Sequence, residues 1–259
     1  MAGIYSRMVD MSRGRASYVI LLDPDKASPS HLAEQAQAVS EYADLIFIGG
    51  SICVRQDFGA AVKSVKAASR VPVVIFPGDS TQVSPDADAL LFLSLVSGRN
   101  PQLLIGEHVK AAPLLRRFGL EAIPVAYMLV ESGETTSVQF MSQTLALPRT
   151  KPEIAMAHAL AGEYLGLKLA YLDAGSGARE HVPAEMIEAV SGYVSLPVVV
   201  GGGIREPRQA GLVAAAGADF VVTGDAIEKT GSVQLVRELA EAVHSARSSP
   251  AEGAARERG

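Results

Sequence analysis

Residues 197–226 read PVVVGGGIREPRQAGLVAAAGADFVVTGDA. Two short β-branched runs, Pro197–Val200 and Phe220–Thr223, each end in glycine, and between them Pro207 opens a segment of helical period (RQAGLVAAAG). This is the pattern of parallel strands joined by a crossover helix. The same alternation extends N-terminally through Tyr18–Leu22, Leu45–Ile48, Val73–Phe76, Ala89–Leu93, Ala122–Leu129 and Lys168–Asp173. Eight strand-then-helix units in 259 residues fit a single (β/α)8 TIM barrel better than a doubly wound sheet, which more often has five to seven strands. IFIGGS at 46–51, VVVGGGI at 198–204 and VVTGDA at 221–226 echo one another, but too briefly to establish duplication.

Helix starts fall at Ser28-Pro29, Pro101, Pro152, Pro183, Pro207 and Ser232. Pro113 is expected to kink or divide the helix that Pro101 opens. One gap is different. Residues 77–88 (PGDSTQVSPDAD) are too short and too rich in Gly, Pro and Asp for a packed crossover helix, so the third outer helix is expected to be missing or replaced by a loop. Such a thin place either exposes an apolar groove for an elongated hydrophobic ligand or is a plain connection covered by a partner subunit. The polar stretch from Val130 to Lys151 reads as a lid or flap, because it is long for a strand-to-helix loop. Residues 1–246 are expected to form the barrel domain and 247–259 a flexible C-terminal tail of low hydrophobicity.

Composition narrows the function. Apolar residues are 48% of the chain, charged residues 20%, and the formal net charge is −5, so no basic footprint exists for nucleic acid or an anionic membrane surface. The single cysteine, Cys53, permits no intrachain disulfide, and neither a secretory signal nor a membrane span is legible; a cytoplasmic location is expected. His31, His108, His158, His181 and His244 are scattered without the spacing of a zinc site.

In a barrel of this kind the chemistry lies just beyond the C-terminal ends of the strands. Glycines after strands seven and eight (Gly201–Gly203, Gly224) leave backbone N–H groups open to an oxyanion, and a short helix beginning near Asp225 would add its positive end. A phosphate dianion is expected there, with Asp225 reading as a helix cap more than as an anion ligand. After strand one, Asp23-Pro24-Asp25-Lys26 brings hard oxygen ligands suited to Mg²⁺, with Ser51 at matching depth one strand over; the alternative is an Asp-Pro turn in which Asp25 caps a helix. After strand six, YLDAGSGA places Tyr171 and Asp173 on one face by the two-residue strand period, with Ser176 and Gly177 as loop donors. The alternative there packs Tyr171 in a barrel layer and pairs Asp173 with a lysine.

LLDPDK, IFIGGS, LSLVSGRNP, PRTKPEIA, YLDAGSGA, VVGGGIR and VVTGDAI, in this order from Asp23 to about Lys229, together resemble the geranylgeranylglyceryl phosphate synthase family, which includes heptaprenylglyceryl phosphate synthases. The resemblance implies a modified TIM barrel without its third outer helix. It implies a Mg²⁺-dependent transfer of a polyprenyl group, most simply from geranylgeranyl diphosphate, to sn-glycerol 1-phosphate, forming an ether at the glycerol C3 oxygen and releasing pyrophosphate. By the motifs, Asp23 and Ser51 would bind Mg²⁺ with the diphosphate. Tyr171, Leu172, Asp173, Ala174, Gly175, Ser176, Gly177, Gly202, Gly203, Gly224 and Asp225 would bind glycerol phosphate; because a carboxylate must accept the hydroxyl proton, Asp173 is the candidate base, with Tyr171 beside it. Two departures stand out: Leu21 occupies a position where some relatives have lysine, and Asp173 one where others have glutamate.

Competing readings are a (β/α)8 isomerase or aldolase of small sugar phosphates, which needs no apolar groove, and a silent barrel that binds a phosphorylated metabolite. A homo-oligomer without a stable membrane anchor is expected; the accepted prenyl chain length depends on groove depth and is not legible.

Overall fold

The computed structural model describes residues 3–54, 57–224, 228 and 230–246. Eight parallel strands close into a barrel in sequence order: β1 (Ser17–Leu22), β2 (Leu45–Ile48), β3 (Val73–Ile75), β4 (Ala89–Leu95), β5 (Glu121–Leu129), β6 (Leu169–Asp173), β7 (Val198–Gly201) and β8 (Phe220–Thr223), with β8 pairing back onto β1. Alternation along each strand divides the apolar residues into two layers. Val19, Phe47, Val74, Leu91, Val125, Tyr171, Val199 and Phe220 fill the barrel interior, whereas Ile20, Ile48, Ile75, Leu172, Val200 and Val221 pack outward beneath the helices.

The helices are α1 (Ile4–Ser12), α2 (Pro29–Val39), α3 (Phe58–Ala68), α4 (Glu107–Phe118), α5 (Ser137–Ser142), α6 (Pro152–Tyr164), α7 (Ala184–Tyr193), α8 (Pro207–Ala215) and α9 (Val233–Ser245). Proline occupies the first turn of α2, α6 and α8, where its missing N–H would be unpaired in any case. The sequence reading had no helix at α1 or α3. Ile4 and Met8 of α1 join the interior cluster, so this helix plugs one end of the barrel, and the Glu121 carboxylate accepts from the N–H groups of Ile4 and Tyr5 at its start. The helix opened by Pro101 differs from expectation. It begins as one π-helical turn, Gln102–Gly106, and then runs unbroken through Pro113 to Phe118. Pro113 lies on an exposed face, where water can hydrate the carbonyl that the ring leaves unpartnered, so no division is needed.

No helix separates β3 from β4. The connection is instead pinned by polar side chains. Buried Gln82 donates to the Gly50 carbonyl (2.9 Å) and accepts from the Gly78 N–H (3.2 Å), and Glu107 of α4 accepts from the Ser80 N–H (2.8 Å). Burial raises the Glu107 carboxyl, but hydrogen bonds involving Ser80, Gln102 and Lys110 outweigh it and hold the group at about 2. The outer face of β4 therefore has no helix over it. The expected flap contains α5 and a short bridge between Val130 and Leu147. The proposed tail, 247–259, lies outside the described residues, and among those described no helix is long and apolar enough to cross a membrane.

Candidate active site

A cavity of about 560 Å³ opens at the C-terminal rim of the barrel and continues across the uncovered face of β4. Its polar end is lined by Asp23, Ser51, Gly175, Ser176, Gly177, Gly202, Gly203 and Gly224, and its apolar end by Val83, Leu90, Phe92, Leu103 and Ala111. Leu90 and Phe92 are the outward residues of β4, so they enter the wall only because the third helix is missing. Met141 and Val138 of α5 border the same space, which places the flap at its edge.

Asp173 ends β6 and lies between the two halves. Its Oδ2 accepts from the Tyr127 hydroxyl at 2.5 Å and its Oδ1 from the Gly175 N–H at 2.7 Å. Burial pushes the carboxyl above the usual carboxylate range, and these two hydrogen bonds pull in the opposite direction without cancelling it. Tyr127 and Tyr171 are held well above the ordinary phenol value, first by burial and then by the Asp173 charge, so both act as neutral hydroxyls. Tyr171 stacks on Phe76 (centroids 5.4 Å apart, planes 18° apart) and meets Tyr127 edge-on at 5.4 Å. Three aromatic rings thus floor the cavity beside the carboxylate.

The glycine turn after β7 abuts the loop after β6. Gly202 has φ +83°, and a Cβ there would lie 2.5 Å from the Gly175 nitrogen and 2.8 Å from Asp173 Oδ1, so no side chain fits. The sequence placed Gly175, Ser176, Gly177, Gly202, Gly203 and Gly224 in one anion site, and all six line the cavity together with Tyr171 and Asp173. Leu172 and Ala174 of the same stretch have their side chains turned away from the cavity. Both are buried in the outer packing layer, because the strand period turns Leu172 away from the barrel axis. Asp225 lies outside the described residues.

On the β1 side, Asp23 Oδ1 accepts from the Asp25 N–H (3.0 Å), and Oδ2 lies 3.6 Å from the Lys26 ammonium. Lys26 also donates to Glu228 Oε2 at 2.6 Å, while Glu228 Oε1 accepts from the Asp23 N–H at 3.1 Å. Burial raises the Glu228 carboxyl, Lys26 opposes it and the Asp23 charge reinforces it. This half-buried network was missed because Glu228 is 202 residues from Lys26; only barrel closure brings β8 back to β1. Leu21, the position of the lysine departure, lines the cavity, and Lys26 is the only cavity-lining lysine among the described residues.

As a Mg²⁺ site, Asp23 and Ser51 supply one carboxylate and one hydroxyl on the cavity wall, and no cluster of three or more His, Cys, Asp or Glu ligands exists among the described residues. That donor set fits an ion that takes its other ligands from substrate phosphate and water, as Mg²⁺ does, and does not fit an all-protein cage.

Residue Tyr127 was likewise not singled out from sequence. Its place in β5 two residues from inward-facing Val125 and Leu129 gives its face, and its register partner is Tyr171, which makes Asp173 its diagonal neighbour. His108, buried in the apolar wall, sits edge-on to Phe92 (4.3 Å), and burial lowers its imidazole below the ordinary value, so it enters the groove as a neutral ring.

Comparison with known proteins places these features in context. Residues 9–243 match the model of the PcrB family. The chain is 46% identical over 245 residues to a geranylgeranylglyceryl phosphate synthase of Chitinophaga pinensis, covering 94% of this chain and 96% of that protein. It is 45% identical to that of Thermococcus kodakarensis, covering 86% and 89%. The crystal structure of (S)-3-O-geranylgeranylglyceryl phosphate synthase from Thermoplasma acidophilum in complex with its substrate sn-glycerol-1-phosphate superposes with a TM-score of 0.90 at 33% identity, covering 95% of this chain and all of that one.

Proposed function

Because the chain belongs to the PcrB family, we propose that it transfers a polyprenyl group, geranylgeranyl in the first instance, from its diphosphate to sn-glycerol 1-phosphate, yielding a prenylglyceryl phosphate ether and pyrophosphate. One observation carries this reading. A single cavity joins a glycine-lined anion rim to an apolar groove, with a buried carboxylate at their junction. A sugar-phosphate isomerase has use for the rim but none for the groove.

The residues divide the work by their chemistry. The N–H groups around Ser176–Gly177 and Gly202–Gly203 hold the acceptor phosphate, which directs its C3 hydroxyl towards Asp173. Asp173 takes that proton as the glycerol oxygen bonds to C1 of the prenyl chain, and the C1–O bond pair leaves with pyrophosphate. The rings of Tyr171, Tyr127 and Phe76 line the cavity, and their π electrons would stabilise positive charge as it develops on the allylic carbon. Leu90, Phe92 and Ala111 accept the tail and exclude water from it. Asp23 and Ser51 would hold Mg²⁺, which when bound neutralises the departing diphosphate. Asp173 has a shorter arm than glutamate, and the Tyr127 hydroxyl and Gly175 N–H together fix both of its carboxylate oxygens.

The test is incubation of the purified protein with radiolabelled glycerol 1-phosphate, geranylgeranyl diphosphate and Mg²⁺, followed by solvent partition. Transfer of label to the organic phase, dependent on both substrates, is expected. Absence of transfer with every diphosphate from C15 to C35, or turnover of a triose phosphate without lipid, would sink the proposal.

A further inference from the structure

The anion rim is assembled from two loops, and the side chain that fastens them is not itself part of the cavity. Gly203, with φ +72°, presses against the far end of the β6–α7 loop, where a Cβ would lie 2.6 Å from the Glu180 carbonyl carbon and 2.7 Å from the His181 nitrogen. Two residues beyond it, Arg205 extends its guanidinium along the same loop. Its Nη2 donates to the Ala178 carbonyl at 2.5 Å and its Nη1 to the Arg179 carbonyl at 3.2 Å. The Ala178 N–H in turn donates to the Gly175 carbonyl at 3.2 Å, closing the turn that carries Ser176 and Gly177. The base of Arg205 is also fixed, since Gln209 Oε1 accepts from its backbone N–H at 2.8 Å within the α8 cap. On the other side, Arg149 donates to the His181 carbonyl at 2.9 Å and the Glu131 carbonyl at 3.0 Å, tying the loop to the flap.

We infer that Arg205 is a positioning residue that sets the affinity for the phosphate-bearing acceptor by fastening the Gly175–Ala178 turn to the β7 glycine turn; the inference rests on the reading of that rim as the acceptor site. The guanidinium does not line the cavity, so it acts through the loop and not on the ligand. A planar fork is required because two successive carbonyls are held at once, which an ammonium on a flexible stem does less well. The loop needs such a fastening. Gly175 and Gly177 both adopt positive φ, and glycine has the most conformational freedom to lose on ordering. If release of the fork leaves one loop in ten in its binding geometry, the apparent dissociation constant rises about tenfold, while the bound complex and its chemistry are unchanged.

The experiment compares wild type with Arg205→Lys and Arg205→Ala, the lysine variant guarding against misfolding in the alanine one. Calorimetry with inorganic phosphate and with sn-glycerol 1-phosphate is read beside steady-state transfer. Both variants are expected to raise the dissociation constants and the KM for the acceptor, about tenfold in the alanine variant and less in the lysine variant. Saturating kcat should stay within about threefold and the KM for the prenyl diphosphate should not move, a split that a general loss of structure would not produce. Unchanged acceptor and phosphate affinity in folded Arg205→Ala overturns the inference, as does a fall in kcat at constant KM. If wild type binds phosphate but transfers no prenyl group, the proposed function fails while the phosphate arm still decides the role of Arg205; if wild type binds neither anion, both fall.

Discussion

Replacing Tyr127 by phenylalanine deletes one hydroxyl from a buried site and leaves the ring that packs against Tyr171 and Phe76. The hydroxyl donates to Asp173 Oδ2 at 2.5 Å, and a bond of this kind to a charged acceptor is worth about 1.5–3 kcal/mol. It favours the ionised carboxylate, so its loss raises the carboxyl further. At 1.36 kcal/mol per pH unit, that is an increase of roughly one to two units. In the proposed mechanism Asp173 must be ionised to accept the hydroxyl proton, so activity is expected to fall on the acid side of its titration. The acid limb of kcat/KM, which reports the free enzyme, should move up by about one to two pH units in Tyr127→Phe. Well above the limb the variant should approach wild type, because the carboxylate is then ionised in both proteins. The assay is initial-rate transfer of label into the organic phase from pH 5 to pH 9.5, with Asp173→Asn as the companion, expected to lose about 10²–10⁴ in turnover at every pH while still binding glycerol phosphate. An unmoved limb in Tyr127→Phe would refute the coupling. A uniform loss across pH would place the hydroxyl on the substrate, and a near wild-type rate in Asp173→Asn would remove the carboxylate from the base role altogether.

The remaining expectations address the groove, the metal and the frame. Ala111→Phe fills the apolar end of the cavity and should raise the KM for C20 and longer diphosphates by about tenfold, leaving the acceptor KM unchanged; equal KM across a C15–C35 ladder would show that the tail goes elsewhere. Chelation with EDTA should abolish turnover and added Mg²⁺ restore it, whereas Asp23→Asn should raise the Mg²⁺ concentration needed for half-maximal rate; persistence of activity in EDTA would exclude the assignment. At the opposite end of the barrel, burial raises the Asp44 carboxyl, but His244, the Tyr18 N–H and Arg15 outweigh it and hold it below its ordinary value. A depressed folded value means stability present above the unfolded carboxylate range and lost as pH falls through the folded one. Asp44→Asn should thus lower Tm at pH 7, with the gap to wild type closing below pH 4; a gap independent of pH would mean that packing, not charge, is lost.

Helices α1 and α3 apart, the parts of this molecule that follow local rules were legible in its sequence, and those that depend on closure were not. β2 and β8 match their expected bounds, and the other strands shift by one or two residues at one end or, in β7, by one at both, because β-branched runs ended by glycine, proline or aspartate carry their own boundaries. The missing helix was legible for a similar reason, since twelve residues rich in Gly, Pro and Asp cannot cross back over a sheet and also pack. The roles of Tyr127 and Glu228 were not. Tyr127 reaches Asp173 across 46 residues and Glu228 reaches Lys26 across 202, separations bridged only once β5 pairs β6 and β8 pairs β1. The side chains of Leu172 and Ala174 turn outward for a local reason. A contiguous motif suggests contiguous contacts, whereas a strand delivers only alternate side chains to its inner face.

The absent helix also constrains how the site can be built. Removing a crossover exposes the outer face of β4, which costs stability unless the surface finds another cover or a ligand. Here the substitute is a polar clasp, in which Gln82 bonds the Gly50 and Gly78 backbone and Glu107 holds the Ser80 N–H from α4. The clasp covers the rim end of the gap and leaves Leu90 and Phe92 open to the cavity. Glu107 is held at about 2, so it stays ionised and the clasp stays closed throughout the neutral range. Loosening it should act on the donor and not on the acceptor. Glu107→Gln removes the charge that strengthens the Ser80 bond, and the expected result is a raised KM for the prenyl diphosphate with the glycerol phosphate KM unchanged, the mirror image of the Arg205 variants. Steady-state kinetics on the two variants, and on the double variant, checks the division. The two ends lie on different loops with no shared bond, so their effects on log(kcat/KM) should add. Strong non-additivity would show that the rim and the groove respond as one unit, and the independent assignment of acceptor and donor affinity to separate fastenings would not stand.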